Sequence, residues 1–136
     1  STNMRFGYDF KLPEASSEKD EIRFKGCTWY YGVAEDDLKN TFSPDKTNFI
    51  TNPDKKGAEY YRSNIVFTNL SSGAYKRSVY ARILVKYTVN GKERSVMGTF
   101  VDSRSVSMIV EGILANTNAD QTEKDYAQKI KDAILK

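Results

Sequence analysis

YARILVKYTVNGKERS, residues 80–95, decides the fold, because apolar and polar positions alternate through its first ten residues and Asn90-Gly91 follows them. Strict alternation is the period of a half-buried strand, and Asn-Gly is the strongest short signal for a two-residue hairpin turn. The chain is therefore expected to fold straight back. If Val89 pairs with Lys92, then Tyr87 lies opposite Arg94, Val85 opposite Val96, Ile83 opposite Gly98 and Ala81 opposite Phe100, all on the core side. The other face carries Tyr80, Arg82, Leu84, Lys86 and Thr88, opposed by Val101, Thr99, Met97, Ser95 and Glu93. One face is apolar. The other is polar, more basic than acidic, and carries an aromatic ring.

Working outward, Met4, Phe6, Tyr8, Phe10 and Leu12 alternate with Arg5, Gly7, Asp9 and Lys11, which predicts a first strand with one buried face. A polar connector opened by Pro13 leads to a second, aromatic-rich extended run, Glu21–Gly32, and the two are expected to form an N-terminal hairpin. Trp29, Tyr30 and Tyr31 in that run suit a core or a subunit interface, or stacking on bases or sugars. Between Gly32 and Gly57 the signal weakens to one short candidate strand, TNFIT, residues 47–51. The next strand, residues 58–70, sets Tyr61, Ser63, Ile65 and Phe67 against Arg62, Asn64, Val66 and Thr68. After Val101 the apolar period becomes helical: Val106, Ile109, Val110, Ile113 and Leu114 predict a helix over about 103–115, capped by Asp102 or Ser103. A second helix over about 121–135 starts at Asp120 or Thr122 and carries Tyr126, Ile130, Ala133 and Ile134 on its apolar stripe. Strands within 4–101 followed by two helices give a single α+β domain over residues 1–136: an antiparallel meander with helices on one face.

The 136 residues suffice to bury roughly two-thirds of the surface the unfolded chain exposes. Histidine is absent, which removes the commonest general base and the commonest transition-metal ligand. The single cysteine, Cys27, excludes an intrachain disulfide and multi-cysteine zinc patterns and reads as a buried strand residue. Glu35, Asp36 and Asp37 lie in a polar run suited to a solvated turn. No catalytic residue, metal site, cofactor or small-molecule substrate is expected. Nor is a membrane partner, since no apolar run reaches bilayer length. The start at Ser1 fits loss of an initiator methionine, cleavage of a precursor or a cloning remnant.

The net charge of +3 says little until its distribution is considered. By strand parity, Arg62, Asn64 and Thr68 join Tyr80, Arg82 and Lys86 on one open sheet face, and Lys76 and Arg77 stand in the turn before it. A polar outer face needs no function. Cations, hydrogen-bonding side chains and a ring together nevertheless suit RNA, whose phosphates take Lys and Arg and whose unstacked bases take aromatic or guanidinium planes. A protein- or glycan-binding face could use the same residues.

SSGAYKRSVYARILV, residues 71–85, and FVDSRSVSMIVEGIL, residues 100–114, resemble two segments of the coat proteins of small single-stranded RNA bacteriophages, the leviviruses. The first is similar to the family's Ser-Ser turn, basic doublet and RNA-facing strand. The second is similar to its junction between last strand and first helix. GVAE, residues 32–35, recurs near the corresponding place in some members. The resemblance spans roughly residues 61–114 and elsewhere rests on element order. It implies an intertwined homodimer with sheets joined edge to edge, an icosahedral shell, and an inner sheet face that binds the genome and an RNA hairpin repressing replicase translation. Localisation would be the virion, and the host bacterial cytoplasm during assembly. Arg82 matches the family's phosphate-contacting lysine, Tyr80 and Lys86 flank it, and Asn64 and Thr68 match RNA-facing positions of the preceding strand if register is kept. Lys76 and Arg77 match its basic turn.

Two departures stand out. The tight VNGK turn replaces the long loop the family uses at its symmetry axes, so shell contacts would come from elsewhere, with residues 36–56 as a candidate source. The last strand also lacks the family's base-stacking tyrosine, which favours general RNA packaging over a specific hairpin complex. A cell-envelope or secreted non-enzymatic binding module is the alternative function.

Overall fold

The structure, a computed structural model, describes residues 2–13, 17, 19–44, 50–52, 60–99 and 101–135. Among these residues the order is β1 (Thr2–Phe10), β2 (Ile22–Gly32), β3 (Asn40–Phe42), β4 (Ile50–Asn52), β5 (Tyr60–Leu70), β6 (Val79–Val89), β7 (Lys92–Met97), β8 (Asp102–Arg104), α1 (Val106–Ala115) and α2 (Gln121–Leu135). This is an antiparallel α+β fold with two C-terminal helices. The last residues of the TNFIT candidate, Ile50 and Thr51, lie in β4; residues 47–49 are outside the described residues.

The long hairpin forms as its alternation requires. Val89 pairs with Lys92, Tyr87 with Arg94 and Val85 with Val96, and Gly98 N–H donates to the Ile83 carbonyl at 2.8 Å. Asn90 at φ 52° and Gly91 at φ 80° adopt the left-handed pair that a type I′ turn needs. Beyond Gly98 the expected register fails: Ala81 pairs with Asp102 and Tyr80 with Ser103, not with Phe100 and Val101. Thr99 and Val101 lie outside the ladder, and the strand resumes as β8, two residues out of step. The helix start moves with it. Ser105, not Asp102 or Ser103, is the N-cap, its Oγ accepting from Met108 N–H at 3.1 Å. Asp120 Oδ1 accepts from Glu123 N–H at 2.8 Å and opens the second helix as expected.

The larger correction is to strand pairing. There is no N-terminal hairpin: β1 pairs with β5 and β2 pairs with β6. The strands therefore form two sheets, ordered β1-β5-β4 and β3-β2-β6-β7, with β8 also on β6. Their apolar faces meet. Trp29 donates its indole N–H to Ser63 Oγ at 2.9 Å, Phe24 packs on Tyr61 with centroids 4.8 Å apart, and Tyr31 meets Phe67 edge-on at 5.1 Å. The core face of β6, Ala81, Ile83 and Val85, is buried. Val106, Val110, Ala127 and Ile130 of the helices belong to the same core, which includes the buried Tyr75. Tyr75 ties the parts together: its hydroxyl bonds Thr2 Oγ1 at 2.9 Å and its carbonyl accepts from Ser107 N–H.

Candidate nucleic-acid interface

On β6 the residues of odd number point into the core, so Tyr80, Arg82, Leu84, Lys86 and Thr88 point outward together. The neighbouring strands complete this face. Across the β2 side, Tyr80 pairs with Gly32, Arg82 with Tyr30, Leu84 with Thr28 and Thr88 with Arg23. On the β7 side, Leu84 pairs with Met97, Lys86 with Ser95 and Thr88 with Glu93. An open groove of about 870 Å³ runs over Lys25, Leu84, Lys86, Thr88, Glu93 and Ser95 and takes in Tyr87 and Arg94 of the opposite parity. Lys86 is exposed in it, while Tyr80 and Arg82 are half-buried beside their strand neighbours.

Arg82 has a structural bond as well as a charge. Its Nε donates to the Gly98 carbonyl at 2.7 Å, which fixes the guanidinium at the point where β7 ends. Arg23 is paired with Glu21, and Thr28 Oγ1 lies 2.9 Å from Ser43 Oγ. The described lining of the groove thus offers cations at Lys25, Lys86 and Arg94, a hydroxyl at Ser95 and a carboxylate at Glu93, with Thr88 buried beneath them. Two rings, Tyr30 and Tyr80, stand on the same face beside Arg82. Such a surface can hold a polyanion by its backbone and accept flat groups against its rings.

The predicted site residues do not all meet there. Tyr80, Arg82 and Lys86 share this face, and the exposed Lys76 and Arg77 lie just before the strand that carries it. Asn64 and Thr68 are elsewhere. Because β5 belongs to the other sheet and buries Ser63 and Ile65 against Trp29, its opposite parity points to the far side of the sandwich. Arg62 goes with them.

Lys25 was not picked out as a site residue from the sequence, and Tyr30 was weighed there only together with Trp29 and Tyr31; the reason is a bulge. Phe24 pairs with Tyr87 and Gly26 with Lys86, leaving Lys25 as the extra residue, and Gly26 takes φ 124°. After the bulge, Cys27, Trp29 and Tyr31 face inward and Tyr30 faces out. The signal was present in Lys25-Gly26, a glycine interrupting a strand pattern. Cys27 itself is buried, and desolvation pushes its thiol up to about 12 despite the opposing Ser63 hydrogen bond and the nearby Lys86 charge. It is a poor nucleophile there. Among the described residues no group of three or more acidic or cysteine side chains is placed to hold a metal, and no helix is long and apolar enough to cross a membrane.

Comparison with protein-family profiles, with curated proteins and with solved structures finds no match.

Proposed function

We propose that the chain is a levivirus-type coat protein: a non-enzymatic, self-assembling structural protein that dimerises, closes into an icosahedral shell and binds single-stranded genomic RNA. The observation that carries this reading is the β6 face, where Tyr80, Arg82 and Lys86 stand in one outward row beside Tyr30. RNA phosphates would meet Lys86, Lys25 and the outer edge of the Arg82 guanidinium, and bases would lie on the tyrosine rings. Repression of replicase translation through an RNA hairpin belongs to the same proposal.

The test is RNA affinity at several salt concentrations. Lys86→Ala should weaken binding to all sequences and lower the salt slope by about one contact, because a phosphate contact releases counterions without reading bases. Tyr80→Ala should cost roughly 1–3 kcal/mol with little change in salt slope. Arg82→Ala should do what Lys86→Ala does and also lose some melting temperature, since its bond to Gly98 disappears. Unchanged affinity in all three would remove the RNA reading. Light scattering and the absorbance ratio of the purified protein report shell and packaged nucleic acid directly.

One observation favours the alternative, a cell-envelope or secreted binding module. The strands form a two-sheet sandwich, and outward residues are shared between two opposite faces. A homogeneous small species free of nucleic acid would support that module.

A further inference from the structure

We propose that the outward face of the β1–β5 sheet carries a second site, for a phosphate group, built by Arg5, Arg62 and Arg104 around Gly7 and Asn64. It lies on the far side of the sandwich from the β6 face and does not depend on the coat-protein reading. The register creates it: Arg5 pairs with Val66, Gly7 with Asn64 and Asp9 with Arg62, so these residues form two adjacent rows on one face. Arg104 reaches the same place from β8, its guanidinium carbon 5.8 Å from the centre of the Phe6 ring. Together they line a depression of about 220 Å³, the lining being Arg5, Gly7, Asp9, Arg62, Asn64 and Arg104.

Among the described residues, the lining of that depression holds three guanidiniums and one carboxylate. Asp9 is committed to Arg62, with Nε–Oδ1 at 2.6 Å and the second guanidinium nitrogen to Oδ2 at 3.0 Å. Among the described residues, the carboxylate paired with Arg104 is Asp102, at 3.8 Å, and Val66, opposite Arg5, offers no charge. Like charges brought together by three separate strands repel, and a bound anion relieves the repulsion. Guanidinium forks match the tetrahedral oxygens of phosphate, which is why phosphate is the anion assigned. Gly7 matters by what it lacks. A Cβ there would lie 2.8 Å from Asn64 Oδ1, so the glycine lets the Asn64 amide lie across the floor of the depression.

The experiment is calorimetric titration of the whole protein with inorganic phosphate and, in parallel, with the dinucleotide UpU, uridine being the phosphate-free control. Saturable phosphate binding is expected. Arg5→Gln and Arg104→Gln should each weaken it about tenfold or more, the size of a lost charge-assisted bond, with melting temperature unchanged. Gly7→Ala should weaken it too, because it displaces the end of a side chain and not backbone. Lys129→Gln, which removes an exposed cation from α2, should leave it unaltered. Binding of both phosphate and UpU at these residues assigns an internal phosphodiester; binding of phosphate alone assigns a free or terminal phosphate. No saturable binding of either, or binding indifferent to both Arg5→Gln and Arg104→Gln, overturns the site.

Discussion

Ser63 shows how much one polar side chain settles in this molecule. It is fully buried between the sheets, accepts from the Trp29 indole and hydrogen-bonds the Cys27 thiol. Ser63→Ala would leave the indole N–H without its partner in a dry interior, so a loss of about 1–3 kcal/mol in chemical denaturation is expected. A change below a few tenths would mean that the two sheets do not meet there. Cys27 supplies a pH test of the same interior. Below about pH 9 its thiol is protonated in both states. Between 9.0 and about 12 the unfolded chain loses that proton while the folded one keeps it, so stability should fall by up to about 1.4 kcal/mol per pH unit. Cys27→Ala should lack that component, and equal slopes for the two proteins between pH 9 and 10.5 would refute the burial. That Ser63 and Ile65 point inward was legible from strand parity. That Arg82 bonds to Gly98 was not, because Gly98 sits at a strand break that no alternation announces.

At the scale of elements, the legible parts were those fixed by local physics. The Asn90-Gly91 turn needs two left-handed residues in sequence, and few other residue pairs adopt them cheaply. The second helix has its Asp120 cap and its apolar period within one stretch of chain. Strand partners are a different matter, since a strand's pattern states which face is buried and not which strand lies beside it. Asn90 illustrates the point: its side chain accepts from Glu21 N–H at 2.8 Å and donates to Asp20 Oδ1 at 2.9 Å, fastening the hairpin tip to the start of β2. Once β2 is held there it runs along β6, and β1 is left to pair with β5. The start of α1 can be tested directly. Ser105→Ala should cost about 1 kcal/mol by removing the cap on Met108 N–H. Asp102→Ala should cost less, because among the described residues the Asp102 carboxylate accepts from Ser103 N–H and, at 3.8 Å, pairs with Arg104 at the surface. The reverse order in thermal melts would restore the cap expected from the sequence.

At the scale of the whole molecule, the β7 edge and a helix surface both stand open. Every residue of β7 is exposed and, among the described residues, its outer edge has no partner strand; Met108 and Tyr126 are 51% and 54% exposed on the helices. Charge at Ile109 or Ile113 would not separate association from folding, since both pack on the monomer core. The β7 edge does. Gly98 donates to Ile83, so in the antiparallel ladder positions 98, 96, 94 and 92 bond to β6, and the N–H groups of Glu93, Ser95 and Met97 point to the open edge. Ser95→Pro therefore removes an outward donor without breaking a β6–β7 bond, and proline is tolerated on such an edge. If two copies pair through β7, as the coat-protein proposal requires, this variant should lose dimers and larger particles in gel filtration while its melting temperature stays within a few degrees of the parent. Intact particles from Ser95→Pro would place the copy-to-copy contact elsewhere, with the exposed Met108 and Tyr126 surface as the next place to substitute.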